Sequence, residues 1–187
     1  MRRDWLNLPN VITLLRIAAV PMFLAVLFAE PEKSSPWRWL AVLLFVVAIA
    51  TDGVDGAIAR KRNLVTDLGK LLDPIADKVL LGGALIALSV LDEVHWVFTI
   101  LILVREVALT VYRMSVLRDR VVAANAGGKA KTIMQGITVG FLLSPLDLYW
   151  PPLATLEFAA LILTTVVTLV TGAQYLLAAR RSSSVSS

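Results

Sequence analysis

The sequence predicts an all-α integral membrane protein with six transmembrane helices, a short N-terminal interfacial segment and both termini in the cytoplasm. Three observations carry this. Hydrophobic residues make up 58% of the 187 positions, above the roughly half that ordinary soluble domains use. Apolar runs near membrane-crossing length recur between short polar connectors, and ~20 helical residues at 1.5 Å each cross the hydrocarbon core. The cationic residues gather in alternate connectors, as the positive-inside rule requires.

Residues 1–8, MRRDWLNL, read as the interfacial segment, and residues 10–29 as the first span, with Pro9 suited to a first helical turn. This run is too long for a signal-peptide core, and no small-residue cleavage site accompanies it. EPEKSSPWRW is a loop whose Trp37 and Trp39 suit the membrane interface. The second span covers about residues 37–60, apolar until Ala50 and closing on Arg60, Lys61 and Arg62. The third, about 66–90, opens at Thr66 as an N-cap, and LDEVH forms the next turn. The fourth, about 94–118, carries Arg105, Glu106 and Arg113 and empties into RDRVVAANAGGKAK. The fifth covers about 129–143, SPLDLYWPP breaks it, and the sixth covers about 153–179. The membrane domain is thus 1–181, and 182–187 is expected to be a disordered tail.

With six spans, one side receives Arg2, Arg3, the 60–62 cluster, Arg118, Arg120, Lys129, Lys131, Arg180 and Arg181, and the other only Lys33 and Arg38. The first side is therefore cytoplasmic. Cysteine is absent and histidine occurs once, at His95. That excludes a disulfide framework, a thiolate nucleophile and a histidine or cysteine metal cluster. Any metal must be held by oxygens, which favours Mg²⁺, Mn²⁺ or Ca²⁺. The net charge of +4 comes from residues scattered between apolar spans, with no aromatic-interleaved stripe, so an anionic membrane face suits it and nucleic acid does not.

The chemistry concentrates in residues 52–77, DGVDGAIARKRNLVTDLGKLLDPIAD. An Asp placed centrally in a membrane costs roughly 2.5–3.5 kcal/mol even on insertion scales, and here there are four. Asp52 and Asp55 are three apart at the end of one helix, and Asp73 and Asp77 four apart at the start of the next, so each pair shares a face. Converging carboxylates repel unless cations hold them. Two divalent ions ~3.5–4 Å apart would clamp the attacking and leaving oxygens of a phosphoryl displacement. Gly53, Gly56, Ala59 and Gly69 leave room beside the acids, although any one of them alone fits close helix packing equally well. Arg60 offers a bidentate phosphate contact.

Asp52, Asp55-Gly56, Ala59-Arg60, then Gly69, Asp73 and Asp77 reproduce the signature of the CDP-alcohol phosphatidyltransferases, which the chain resembles over nearly its whole length. The resemblance implies a six-helix homodimer in the bacterial cytoplasmic membrane, with its active site facing the cytoplasm and Mg²⁺ or Mn²⁺ bridging CDP-diacylglycerol to the acids. It implies that Asp52, Asp55, Asp73 and Asp77 are metal ligands and that Asp77 is the general base. It makes Gly56, Ala59, Arg60, Thr66 and Gly69 contacts to the CDP-diacylglycerol headgroup, joined by Asn10 and Thr13 at the start of the first helix. Asp77, one turn deeper than Asp73, would accept a proton from a hydroxyl arriving from the bilayer side.

The acceptor alcohol must be read elsewhere. Arg105 and Arg113 lie eight apart on one stripe of the fourth span, and Lys129 and Lys131 follow its cytoplasmic end, a basic wall able to hold an acceptor phosphate. Glu106 is a local ion-pair partner. The stretches NLPNVITLLRI, LDPIADK, VREVALTVYR and GGKAKT are similar to the family members that use glycerol 3-phosphate. Inositol phosphate, or phosphatidylglycerol as in a cardiolipin synthase, are the alternatives the signature leaves open. A divalent-cation transporter would also place acids in helices, but here they cluster at one face rather than at the midplane. His95 reads as a solvated loop residue, the tryptophans as interface anchors, and the small residues of the third and sixth spans as candidates for a dimer interface.

Overall fold

The structure is a computed structural model that describes the backbone of residues 8–61, 67–116 and 126–184, and the side chains within 17–51, 78–112 and 131–175 and at Leu177. Among these residues all regular structure is helical. The six long helices are α1 (Leu8–Ala29), α2 (Pro36–Lys61), α3 (Asp67–Val90), α4 (Trp96–Val116), α5 (Ala126–Leu143) and α7 (Pro152–Ser184). The prolines around SPLDLYWPP do end α5, but they enclose one further turn, α6 (Leu146–Tyr149), closed by the Trp150 N–H donating to Leu146 O at 3.0 Å. α7 carries helical backbone through Ser184, three residues into the expected tail.

Local chemistry sets the boundaries. Ser35 caps α2, its hydroxyl accepting from the Trp37 N–H at 3.2 Å, and Pro36 takes the first helical position, where no N–H is needed. The turn after α3 is a Schellman closure: the Asp92 N–H reaches Ser89 O at 3.2 Å and the Glu93 N–H reaches Leu88 O at 2.9 Å. Asp92 supplies the left-handed residue, with φ 57°, where glycine is usual. His95 stays exposed, as a loop residue should. Its Nδ1 also accepts from the Val97 N–H at 3.3 Å and caps α4.

α1 packs on α2 and α3, α2 and α3 on α5, and α7 on α4 and α5. Phe23, Phe45 and Leu88 lie at the centre, each 1% exposed or less. Some small residues of the third span serve this packing. Ala84 and Ala87 are buried in the core, and a Cβ on Gly83 would meet Val20 at 3.6 Å.

Outside the core the usual distribution is inverted. Arg38, Lys131, Gln135, Glu157 and Thr168 are buried, while Leu43, Val104, Ile133, Leu163 and Val170 face outward. Water does not favour such a surface, and hydrocarbon does. By length and composition one described stretch, Pro152–Tyr175, is able to cross a membrane; Ile17–Ala29, Pro36–Thr51, Lys78–Val90 and Lys131–Leu143 are apolar but shorter.

At the end where α2, α4 and α7 begin, the two cations expected on the outer side are both paired. Arg38 donates through Nε to Leu143 O at 2.7 Å and through Nη2 to Glu93, and Lys33 bonds Asp147 at 2.8 Å and lies 3.7 Å from Glu157. Trp37, Trp39, Trp96 and Trp150 are exposed around this end.

Candidate active site and its cationic hub

The backbone places the acid-bearing positions as their spacing predicts. Asp52 and Asp55 lie on the last three turns of α2, and Asp73 and Asp77 in the second and third turns of α3. Asn10 and Thr13 fall in the first turns of α1, Gly56, Ala59 and Arg60 near the end of α2, and Gly69 at the start of α3. Thr66 lies outside the described residues, as do the side chains of these other positions. The donor set fits a hard divalent ion by its chemistry, since all four candidate ligands are carboxylates on two helices in contact.

The described part of the site begins one residue past Asp77. Lys78 extends from α3 to Glu106 on α4, its Nζ 2.7 Å from Oε2 and 3.3 Å from the Glu106 carbonyl oxygen. Glu106 Oε1 accepts from Arg105 Nη1 at 2.8 Å and from Lys131 Nζ of α5. Gln135, one turn further along α5, approaches the same oxygen at 3.5 Å and donates to Thr168 of α7 at 3.1 Å. Arg105 Nη2 donates to Thr171 of α7 at 2.9 Å. Three helices thus meet on one carboxylate, and α7 joins them through Arg105 and Gln135.

Among the described residues three cations surround that single acid, so this part of the hub carries +2. Its members are shielded: the side chains of Lys131, Arg105, Glu106 and Lys78 are 7%, 13%, 16% and 30% exposed. Uncompensated charge in such a setting is costly, and a phosphate monoester, close to −2 near neutral pH, would balance it.

Of the four residues expected to hold an acceptor phosphate, Arg105 and Lys131 are brought together here, both on Glu106. Arg113 lies on α4 and Lys129 on α5, with side chains outside the described set. Glu106, expected to pair locally, does so with Arg105 and also gathers Lys78 from α3 and Lys131 from α5. Lys78, Gln135, Thr168 and Thr171 were not anticipated. A signal for the threonines existed, since Thr164, Thr168 and Thr171 recur at helical spacing in an apolar run and mark a polar stripe on α7. An open apolar groove of about 490 Å³ lined by Ile133, Ile137, Phe141 and Ala160 is remote in character from this chemistry and suits hydrocarbon.

Among the described residues the fold is all helical, with acid-bearing positions on the adjoining ends of two helices and a cationic hub one residue further on, an arrangement suited to phosphate chemistry. The model of the CDP-alcohol phosphatidyltransferase family matches residues 6–172, and the chain belongs to that family. It is 44% identical over 162 residues to a probable phosphatidylglycerophosphate synthase of Mycobacterium tuberculosis, covering 87% of this chain and 78% of that one. It is 43% identical to the CDP-diacylglycerol–glycerol-3-phosphate 3-phosphatidyltransferase of Bacillus subtilis, over 86% of this chain and 90% of the other. The Escherichia coli enzyme of the same name is 36% identical, over 93% and 95%.

Proposed function

We propose that this protein transfers the phosphatidyl group of CDP-diacylglycerol to glycerol 3-phosphate, releasing CMP, and that it does so as a six-span homodimer of the cytoplasmic membrane with both termini and the active site on the cytoplasmic side. The observation that carries the choice of acceptor is the hub: a net +2 beside the acid-bearing start of α3 matches the dianion of a phosphorylated alcohol. The names of the relatives point to the same acceptor. The inverted surface, apolar outside and charged within, supports the bilayer, and the pairing of Lys33 and Arg38 with acids at the opposite end supports the orientation.

In this reading CDP-diacylglycerol keeps its acyl chains in the bilayer while its nucleotide lies against α1, α2 and the start of α3, contacted by Asn10, Thr13, Gly56, Ala59, Arg60, Thr66 and Gly69. Lys131, Arg105, Arg113 and Lys129 draw the acceptor phosphate to the hub and leave an alcohol hydroxyl of the acceptor beside Asp77. The hydroxyl oxygen bonds to the phosphorus that carries diacylglycerol, its proton passes to the Asp77 carboxylate, and the bond from that phosphorus to the CMP oxygen breaks. Arg60 offsets the charge growing on the departing CMP. Magnesium or manganese, held by Asp52, Asp55, Asp73 and Asp77, would supply Lewis-acid neutralisation of the phosphates.

The test is an acceptor panel with the solubilised protein, CDP-diacylglycerol and Mg²⁺, following CMP release with glycerol 3-phosphate, inositol phosphate, inositol, serine and phosphatidylglycerol. Glycerol 3-phosphate should be preferred, and Lys131→Ala should raise its KM more than that of the lipid. Preference for inositol phosphate or phosphatidylglycerol would overturn the acceptor; no CMP release with any alcohol would overturn the reaction.

A further inference from the structure

We infer that α7 belongs to the acceptor site: Thr171 and Gly172 form a notch that positions Arg105 and so sets the affinity for the acceptor's phosphate. This rests on the proposed acceptor reading. Arg105 leaves α4 and lies against α7, where an added Cβ on the buried Gly172 would stand 2.8 Å from Nε, 3.1 Å from Cγ and 3.5 Å from Cδ. The first distance is closer than a real Cβ approaches. The neighbour that would have to yield is not a free side-chain tip. Its Nη1 is bonded to Glu106 and its Nη2 to Thr171, so the guanidinium cannot turn aside without giving up a bond.

The Thr171 hydroxyl is itself directed. It donates to Val167 O at 2.7 Å within α7, which leaves its oxygen lone pairs to accept from Arg105. Arg105 Nε is buried without a partner, the cost of seating the chain flat on the glycine. A tether between α4 and α7 alone does not call for that arrangement, since an apolar contact would join the helices with no orphaned donor. The arrangement fixes the guanidinium plane beside Lys131, and the hydrogens left on Nη1 and Nη2 remain for an anionic oxygen.

The experiment compares KM for glycerol 3-phosphate with KM for CDP-diacylglycerol in the full-length solubilised protein for Gly172→Ala, Thr171→Val, Thr171→Ser and Arg105→Ala, with thermal unfolding of each. Gly172→Ala and Thr171→Val should raise the glycerol 3-phosphate KM roughly tenfold or more, the factor carried by one hydrogen bond to a charged group. The lipid KM should stay within about twofold, and Thr171→Ser should restore the wild-type value. If Gly172→Ala fails to fold, the two Thr171 variants decide. Both KM values moving together, or neither moving while Arg105→Ala still raises that of the acceptor, would overturn the notch and leave the acceptor reading standing. An unchanged acceptor KM in Arg105→Ala would overturn both.

Discussion

Glu106→Ala is the perturbation on which the structure speaks most directly. The substitution removes the one carboxylate shared by Lys78, Arg105 and Lys131 and takes the hub from +2 to +3. Removing one partner of a buried pair costs about 3–5 kcal/mol, because the other charge stays buried and unpaired. Lys131 and Arg105, 7% and 13% exposed, fall in that regime. Lys78, 30% exposed, keeps water and should add less than about 1 kcal/mol, as exposed pairs do. We therefore expect Glu106→Ala to lose about 3–5 kcal/mol of unfolding free energy in detergent, and Glu106→Gln, which keeps an acceptor oxygen, to lose less. A double-mutant cycle with Lys131→Ala isolates the pair and should return a coupling of about 1.5–3 kcal/mol, the range for hydrogen bonds to charged groups. If Glu106→Ala stays within about 0.5 kcal/mol of wild type and the cycle shows no coupling, the carboxylate does not hold the hub together.

Three further outcomes follow from the same physics. Asp77→Asn should abolish CMP release while the protein still binds CDP-diacylglycerol, measured by equilibrium binding of labelled lipid; retained turnover would remove Asp77 from the role of base. Arg38→Ala, at the opposite end, strands Glu93 and the Leu143 carbonyl and should cost about 3–5 kcal/mol in unfolding, with both KM values unchanged; a shift in the glycerol 3-phosphate KM alone would tie that end to the acceptor. Phe45→Ala empties a fully buried position between α1 and α5, where Phe23 lies 5.8 Å away centroid to centroid. It should cost about 3–5 kcal/mol, and a loss under about 1 kcal/mol would show that the core there collapses into the space.

The helices were legible because hydrophobic length and caps are local properties. The LDEVH turn closes α3 through Asp92 and Glu93, whereas Ser35 and Pro36, which read as loop, cap and open α2. The short helix α6 was not legible. Pro145, Pro151 and Pro152 mark a break, but one turn fits between them because a closing bond from Trp150 to Leu146 needs only four residues. Small residues of the third span such as Gly83, Ala84 and Ala87 pack within the chain, a partner their spacing does not name, since small residues permit close approach without saying which helix approaches.

In the site the division is similar. Sequence by itself determined the family, the four acids and their register on two helix ends, because helical spacing and charge in an apolar segment are visible one residue at a time. It also marked Arg105 as a cation too deep in a span to be incidental, whereas Lys131 read equally well as an ordinary cytoplasmic-side lysine and proves buried only in the fold. The fold alone shows that both share Glu106 with Lys78, and that α7, whose threonine stripe names no partner, seats Arg105 on Thr171 and Gly172. The reason is physical: a carboxylate's partners are set by which helices meet around it, and residues such as Lys78 and Lys131, 53 positions apart in the chain, leave no trace of that meeting in either one's neighbours.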